Sequence, residues 1–384
     1  MDEAGYDLQC QYANLIFHLH HIVPRLGPAN GTASTLAWRS FMTDDFSPLE
    51  YSWNWDTPAS GPKVRYSVEL VGPNAGNSID PFNQTSTVDL SRRLRRQLPG
   101  MDLTLFEIMR TTFYDEEGMS ISAERNSDYQ SSPSSLFLAF ELGGSIAAKA
   151  YFVPVKAEQY GISRLTVLSE AVYTLRARGY PCMGFERILA FMDTQQGSKL
   201  HVVGVAIDCT DSTDSRFKVY LRSPETSFLS VCDMMNLGGT LDVLTPTARA
   251  ELKQLWRLTL GLAPDFVESD ELISTTHETA GVLYNFDIKL RGSSLQPKLY
   301  IPVKHYAAND AAAARGLGSY LQERGRYAYF PNYVNALQRT CLHRSLEDEN
   351  GYQTYIGTGI QKNGSLSLCS YLNGEVYHPK RVWP

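Results

Sequence analysis

The sequence predicts an α+β fold: a ten-stranded antiparallel β-barrel with a polar lumen, ringed by α-helices. Three observations lead there. Pairs of short alternating strands, each joined by a Gly/Ser/Asp-rich turn and followed by helical stretches, occur five times, spaced roughly 70–80 residues apart. The strands carry one polar and one apolar face, because strand side chains alternate with period two. Ten antiparallel strands also need their edges protected, and full closure supplies this. An open sheet with one solvated polar face is the alternative that would bury the apolar faces as well. No linker rich in Pro, Gly or Ser divides the 384 residues, so one domain spanning 1–384 is expected.

The elements follow in order. Residues 6–25 predict a helix, with Leu8, Tyr12, Leu15, Leu19 and Val23 at helical spacing and Pro28 as a stop. The strand pairs are 49–56 with 63–71, 135–142 with 147–154, 200–208 with 216–222, 281–290 with 297–303, and 352–360 with 365–372. Helices are expected over 86–98, 101–112, 163–179, 183–194, 226–236, 246–262, 306–323 and 332–343. In the first pair, Lys63, Arg65, Ser67 and Glu69 share one face and Val64, Tyr66, Val68 and Leu70 the other. Its partner strand sets Glu50, Ser52 and Asn54 against Tyr51, Trp53 and Trp55. Amphipathic helices need apolar surface to cover, so the apolar faces point outward and the polar faces line the lumen.

Composition limits the function. Net charge is −6, from 35 Lys+Arg against 41 Asp+Glu, which argues against nucleic acid or an anionic membrane as partner. Tyrosine is abundant, with 22 Tyr against 16 Phe. Six scattered cysteines form no C-x-x-C pair, no apolar run reaches the ~18 residues of a membrane span, and the acidic start resembles no secretory signal. A reducing, cytoplasmic location is expected, which makes the sequons at Asn30, Asn83 and Asn363 chance matches.

The second strand of each pair carries a recurring cation and tyrosine. Lys149-Ala150-Tyr151, Lys218-Val219-Tyr220 (preceded by Arg216) and Lys298-Leu299-Tyr300 occupy equivalent places; the first unit has Lys63-Val64-Arg65 and the fifth Cys369-Ser370-Tyr371. One Lys-x-Tyr is ordinary strand composition. Three at equivalent places in a repeat suggest that Arg65, Lys149, Arg216, Lys218 and Lys298 converge on one lumen with Tyr151, Tyr220, Tyr300 and Tyr371. Unpaired cations packed together repel and lose hydration, so a polyanion is expected to neutralise them, and a phosphate or diphosphate suits this donor set. Glu50, inward by parity, is either a salt-bridge partner or an acceptor for a substrate N–H or O–H.

No metal is expected. There is no D-D-x-x-D, since Asp44-Asp45 runs into Phe46-Ser47-Pro48. Asp208, Asp211 and Asp214 are assigned to a turn, and His18, His20 and His21 have no accompanying ligand cluster. A P-loop, a G-x-G-x-x-G and a G-x-S-x-G are all missing.

These residues resemble the fungal dimethylallyltryptophan synthase (DMATS) family of aromatic prenyltransferases. The likeness runs from about Trp38 to the C-terminus. It is carried by Ser47-Pro48-Leu49-Glu50-Tyr51-Ser52, Val64-Arg65-Tyr66, Lys149-Ala150-Tyr151-Phe152-Val153-Pro154, Arg216-Phe217-Lys218-Val219-Tyr220, Pro297-Lys298-Leu299-Tyr300-Ile301-Pro302 and Tyr371-Leu372-Asn373, in that order. The resemblance implies the αββα prenyltransferase barrel. It also implies transfer of a prenyl group, usually dimethylallyl, from its diphosphate to an electron-rich aromatic. No cofactor is obligatory, and Mg or Ca is at most stimulatory. By position, Arg65, Lys149, Arg216, Lys218 and Lys298 resemble the family's diphosphate ligands, the four tyrosines its carbocation shield, and Glu50 its carboxylate for the indole N–H.

Two departures bear on the acceptor. Phe137 stands where members acting on free tryptophan at C4 carry a lysine, and Val153 where they carry another tyrosine. A larger or less polar acceptor is therefore expected, such as a tryptophan-containing cyclic dipeptide or a polycyclic phenolic. Phe137, Val153, His201 and Tyr284 are the acceptor-pocket candidates, with His201 also a candidate final base beside Glu50 or a water. The expected partners are the prenyl diphosphate and the acceptor, in a monomer or homodimer. O-prenylation of a phenol, or a non-catalytic barrel that binds a phosphorylated metabolite, are the alternatives.

Overall fold

In the computed structural model, residues 1–27, 36–55, 61–115, 134–211 and 215–382 are described. Pro28, the Asn30 sequon, Asp56 and Asp214 lie outside them. The ten strands are β1 (Leu49–Asn54), β2 (Lys63–Val68), β3 (Leu136–Glu141), β4 (Ala147–Phe152), β5 (His201–Asp208), β6 (Arg216–Ser223), β7 (Val282–Lys289), β8 (Leu295–Ile301), β9 (Gln353–Ile360) and β10 (Leu366–Asn373). Each pairs antiparallel with its neighbours in sequence, and β1 pairs with β10 through Glu50↔Asn373, Ser52↔Tyr371 and Asn54↔Cys369. The sheet is a closed barrel, so the open-sheet alternative falls.

Closure sorts every strand into an inner and an outer face. Outer residues such as Tyr66, Phe140, Phe152, Phe217, Phe286 and Ile356 are buried in one apolar cluster. Helix residues including Leu94, Phe106, Val167, Ile188, Trp256 and Leu317 fill the other side of it. Each fully buried aliphatic or Phe side chain there contributes roughly 1.5–3 kcal/mol. This outer layer is the hydrophobic core; the lumen is a second, polar interior.

The helices include Thr85–Leu94, Thr104–Phe113, Arg164–Ala177, Phe185–Met192, Phe228–Met235, Pro246–Leu260, Asp310–Glu323 and Phe330–Thr340. The expected helix over 306–323 starts later, at Asp310, and runs to Glu323 after a separate helical turn at Val303–Tyr306; its first turn is capped by Asn309 Oδ1 accepting from Ala312 N at 2.8 Å. A short helix, Lys156–Tyr160, is an addition.

The N-terminal helix Leu8–Phe17 presents the face opposite to the one its periodicity suggests. Leu8, Tyr12, Leu15, Leu19 and Val23 are all exposed. Phe17, Ile22 and Asn14 face the barrel instead, with Phe17 edge-on to Phe140 and the Asn14 amide donating to the Gly143 carbonyl. Tyr6 fixes the approach: its hydroxyl donates to the Leu142 carbonyl and accepts from Val64 N, both at 2.9 Å. Tyr51, expected under a helix, is on the outer face but 37% exposed.

Candidate active site

The lumen is layered, and β6 shows the order on one strand. Arg216, Lys218, Tyr220 and Arg222 alternate inward, from the end where the hairpin turns connect β5 to β6 towards the opposite mouth. The same sequence of cation then tyrosine occurs in Lys149–Tyr151 and Lys298–Tyr300, because these strands run in the same direction.

The tyrosines meet at mid-barrel. Ring centroids are 5.9 Å apart for Tyr151 and Tyr220, 6.1 Å for Tyr220 and Tyr300, and 5.5 Å for Tyr300 and Tyr371. Asn285, inward on β7, donates to the Tyr220 hydroxyl at 3.3 Å and to that of Tyr300 at 3.0 Å. A Cβ at Gly357 would stand 2.9 Å from the Tyr371 ring, so glycine is what lets that ring close the collar. Burial holds all four phenols well above their ordinary range, so they are neutral hydrogen-bonding groups and π-faces.

Below the collar lie the cations, and here one expectation is corrected. They are not all unpaired. Asp208 is not a turn residue: it ends β5 facing inward, with one oxygen 2.9 Å from Lys218 Nζ and the other 2.8 Å from Arg216 Nε. Arg216 also reaches Asp287 at 3.1 Å, and Glu141 binds Arg65 at 2.8 Å and Lys63 at 2.9 Å. Burial pushes the Asp208 carboxyl up, but Lys218 and Arg216 outweigh it and hold it well below the usual carboxylate range. No carboxylate among the described residues pairs with Lys149, whose amine is pushed down to about 7 by desolvation and then by Lys218 and Arg65. The five expected cations thus face three carboxylates, and a positive surplus remains.

Above the collar is a cavity of about 170 Å³. Phe137, Val153, Val203 and Leu283 supply its apolar wall, Tyr151, Tyr220, Tyr300 and Tyr371 its floor, and Asp44, Glu50, Arg222 and Lys304 its charged groups. Glu50 Oε1 accepts from the Thr354 hydroxyl at 2.8 Å. Burial raises the Glu50 carboxyl to about 7, against the opposing pull of Thr354 and Lys304. Lys304 Nζ lies 2.7 Å from Asp44 and 5.1 Å from the centre of the Tyr355 ring.

The segment carrying Phe41, Met42 and Asp44 borders this cavity and is pinned by a buried carboxylate outside it. Glu69 receives Trp38 Nε1 at 2.9 Å, Ser40 Oγ at 2.5 Å, Ser134 Oγ at 2.7 Å and Asn83 Nδ2 at 3.2 Å. No cation pairs with it among the described residues, and burial raises its carboxyl despite the four donors.

Two pocket candidates are misplaced by the sequence reading. Tyr284 points outward and is fully buried beneath the helices, because Asn285 and Asp287 hold the inward parity of β7 and give the cavity position to Leu283. His201 is exposed and does not line the cavity. The β5–β6 register shifts between Val202 and Gly204, which brings Val203 into the wall instead. It stands at the start of β5 as the register partner of Arg222, outside the residues that line the cavity.

Two clusters among the described residues have metal-ligand spacing: Asp44 with His277 and His305, and Cys341 with His343 and Glu375. Each already holds a fixed cation against its carboxylate, Lys304 on Asp44 and Arg344 on Glu375. A metal ion would have to displace or face that charge. The histidines of 18–21 are in neither cluster.

Layered cations, tyrosines and an aromatic-sized chamber inside a ten-stranded barrel narrow the possible relatives sharply. The sequence model of the family described as tryptophan dimethylallyltransferase matches residues 1–336. The chain belongs to that family. It is an aromatic prenyltransferase of the DMATS type, and the non-catalytic alternative falls. The chain is 33% identical to prenyltransferase anuH of Penicillium roqueforti, covering 99% of this chain and 87% of that one. It is 32% identical to a 4-O-dimethylallyl-L-tyrosine synthase of Claviceps purpurea, covering 97% and 84%. The crystal structure of AnaPT from Neosartorya fischeri superposes with a TM-score of 0.83 at 26% identity, over 97% of this chain and 90% of that one. This prenyltransferase has no helix, among its described residues, long and apolar enough to cross a membrane. None of its six cysteines is paired.

Proposed function

We propose that the protein transfers a dimethylallyl group from its diphosphate to an electron-rich aromatic acceptor without a required metal ion. The observation that carries this reading is the tyrosine collar between a surplus of cations and an apolar chamber. Arg65, Lys149, Arg216, Lys218 and Lys298 hold the diphosphate below the collar. Arg65 Nε, buried with no partner among the described residues, is a donor awaiting an acceptor of this kind. The C1–O bond of the donor breaks heterolytically, and its electron pair leaves with the diphosphate. Fixed cations stabilise the charge that develops on the leaving oxygens, in the role a metal fills elsewhere. Tyr151, Tyr220, Tyr300 and Tyr371 surround the allylic cation with π-faces, each worth ~1–2 kcal/mol when desolvated, and keep water out.

The acceptor lies above the collar against Phe137 and Val153. Glu50 accepts a hydrogen bond from its N–H or O–H, which raises the electron density of the ring. A ring carbon forms the new bond to the cation, and the ring proton then leaves to Glu50 or water. For a phenol, the oxygen itself can be the nucleophile, with its proton passing to Glu50; a carboxyl poised near 7 suits that transfer.

The test is incubation with dimethylallyl diphosphate and a panel of indoles and phenols in EDTA, read by mass spectrometry. The expected result is a product heavier by one C5H8 unit for at least one acceptor. Absence of both product and diphosphate release would overturn the reading. Activity that appears only when Mg²⁺ is restored would overturn its metal-free part.

A further inference from the structure

We propose that the outer face of the N-terminal helix, together with the arginines at the end of helix Thr85–Leu94, docks the protein on an anionic lipid surface. This surface is separate from the lumen where prenyl transfer is placed. The helix Leu8–Phe17 continues through turns at His18–Ile22 and Val23–Arg25. At 1.5 Å per residue, positions 8–23 span about 24 Å. One side packs on the barrel through Phe17 and Ile22. The other carries Leu8, Tyr12, Leu15, Ile16, Leu19 and Val23 in one stripe, each between 44% and 69% exposed. A helix apolar on both sides belongs between two neighbours, and the barrel supplies one of them.

What borders the stripe selects the second neighbour. No Asp or Glu occurs from residue 8 to residue 27. Helix Thr85–Leu94 packs on β3, as does Phe17, which is edge-on to Phe140 of the same strand. The end of that helix carries Arg92, Arg93, Arg95 and Arg96, all exposed. Arg92 reaches Glu107 at 3.4 Å, and the other three have no carboxylate within 4 Å among the described residues. Arg93 comes near the stripe: the His21 imidazole is held below its ordinary range by burial, then by Arg25, His20 and Arg93. The patch is a band of apolar side chains bordered by unpaired guanidinium groups.

An anionic lipid surface matches both halves, with acyl chains for the stripe and phosphates for the arginines. An apolar helix face beside a basic cluster supplies the two signals that hold a protein reversibly at such a surface. The stripe lies in the plane of the membrane, and no described helix is long and apolar enough to cross it. The net charge of −6 opposes attraction over the whole molecule, but a Debye length of ~8 Å confines the interaction to the patch that touches the headgroups. A second copy of the chain is the rival occupant. The acids at the other end of the helix are already engaged, Asp2 and Glu3 by Arg339, and Asp7 as the acceptor for Cys10 N. Stripe-to-stripe pairing therefore brings the arginines no free carboxylate from this face.

The experiment is co-sedimentation of the full chain with vesicles of phosphatidylcholine alone, or of equal parts phosphatidylcholine and phosphatidylserine, in dilute salt and in ~0.5 M salt. Binding to the mixed vesicles is expected to exceed binding to phosphatidylcholine roughly tenfold and to fall in ~0.5 M salt. Leu15→Gln with Leu19→Gln should abolish it, and so should Arg93→Gln with Arg95→Gln and Arg96→Gln. All five positions are exposed and outside the lumen, so the circular dichroism spectrum and prenyl transfer in solution should be unchanged in both variants. Failure of the unaltered protein to bind the mixed vesicles overturns the proposal, as does binding that survives either set of substitutions. Light scattering without vesicles tests the rival. A dimer that the Leu15 and Leu19 substitutions dissolve would assign the face to a second copy and overturn the proposal.

Discussion

Lys149 is the register partner of Asp208 across β4 and β5, yet both oxygens of that carboxylate bind other cations, Lys218 and Arg216. Desolvation of Lys149, followed by repulsion from Lys218 and Arg65, outweighs the pull of Asp208, and its amine falls to about 7.

A diphosphate bound beside Lys149 would restore its charge. At pH 8, donor binding is expected to take up close to one proton, which calorimetry in buffers of different ionisation enthalpy reads directly. Lys149→Met should remove most of the uptake. Binding without a proton change would show that Lys149 is not at the diphosphate. The sign for stability follows from the same shift. The unfolded lysine titrates near its ordinary 10.5. Between pH 7 and 10.5 the unfolded state binds more protons, so this site favours folding increasingly as pH rises through that window.

Glu50 is a full-strength acceptor, on both oxygens, only when ionised. Its raised pKa means the folded state retains a proton between pH 4.5 and 7; its contribution to stability is complete below 4.5 and is lost as pH rises through 7. Function runs the opposite way. For an indole acceptor, kcat/KM should climb from pH 6 to 8 with an inflection near 7. A hydrogen bond to a charged group is worth ~1.5–3 kcal/mol, so Glu50→Gln should lower kcat/KM roughly 10- to 100-fold and flatten the profile. Donor affinity measured separately should stay within twofold; equal loss of donor affinity would contradict the assignment.

Tyr220 is the middle of the collar, with Tyr151 on one side and Tyr300 on the other. Tyr220→Ala opens a gap beside the cation. Loss of one π-face should slow ionisation roughly tenfold. Water entering through the gap should raise the ratio of dimethylallyl alcohol to prenylated acceptor. Chromatography of both products checks this, and an unchanged ratio would mean the collar does not exclude water.

Glu69 ties Trp38, Ser40, Asn83 and Ser134 together at a fully buried point. Glu69→Ala leaves several buried donors without an acceptor, at a cost of about 2–3 kcal/mol, visible as a lower midpoint in urea unfolding. Because Ser40 adjoins Phe41 and Met42 in the chamber wall, the KM for the acceptor should rise severalfold while donor affinity is kept. Glu69→Gln, which retains an acceptor oxygen, should recover part of both effects.

Much of the barrel was legible because period-two alternation is a local signal. The ten strand ranges differ from those expected by at most three residues at either end. The four tyrosines and five cations fall on inner faces for the same reason. Tyr284 was within reach of that logic: Asn285 and Asp287 mark the inner parity of β7, and Tyr284 is on the other. What the sequence hides are partners fixed by register between distant segments. Asp208 looks like a turn residue until β5 is seen to end with it beside β6. Lys304 follows Pro302 in a helical turn, where strand parity no longer applies. The bulge at Gly204 is equally silent, although a Cβ there would stand 2.5 Å from the Phe152 carbonyl oxygen. The N-terminal helix shows a different limit: periodicity reveals an apolar face, not whether that face has anything to cover.

The collar also has a meaning for how such proteins diversify. It divides the lumen into two compartments built from different positions of the same strands. Substitutions at Phe137, Val153, Val203 or Leu283 reshape the upper one without touching an ion pair below. On the proposed reading, a lineage can change the chamber that takes the acceptor while keeping the cations below the collar. A relative 32% identical to this chain is named for tyrosine oxygen, and the family as a whole for tryptophan. A partition of four rings lets one half of the lumen vary while the other stays constant.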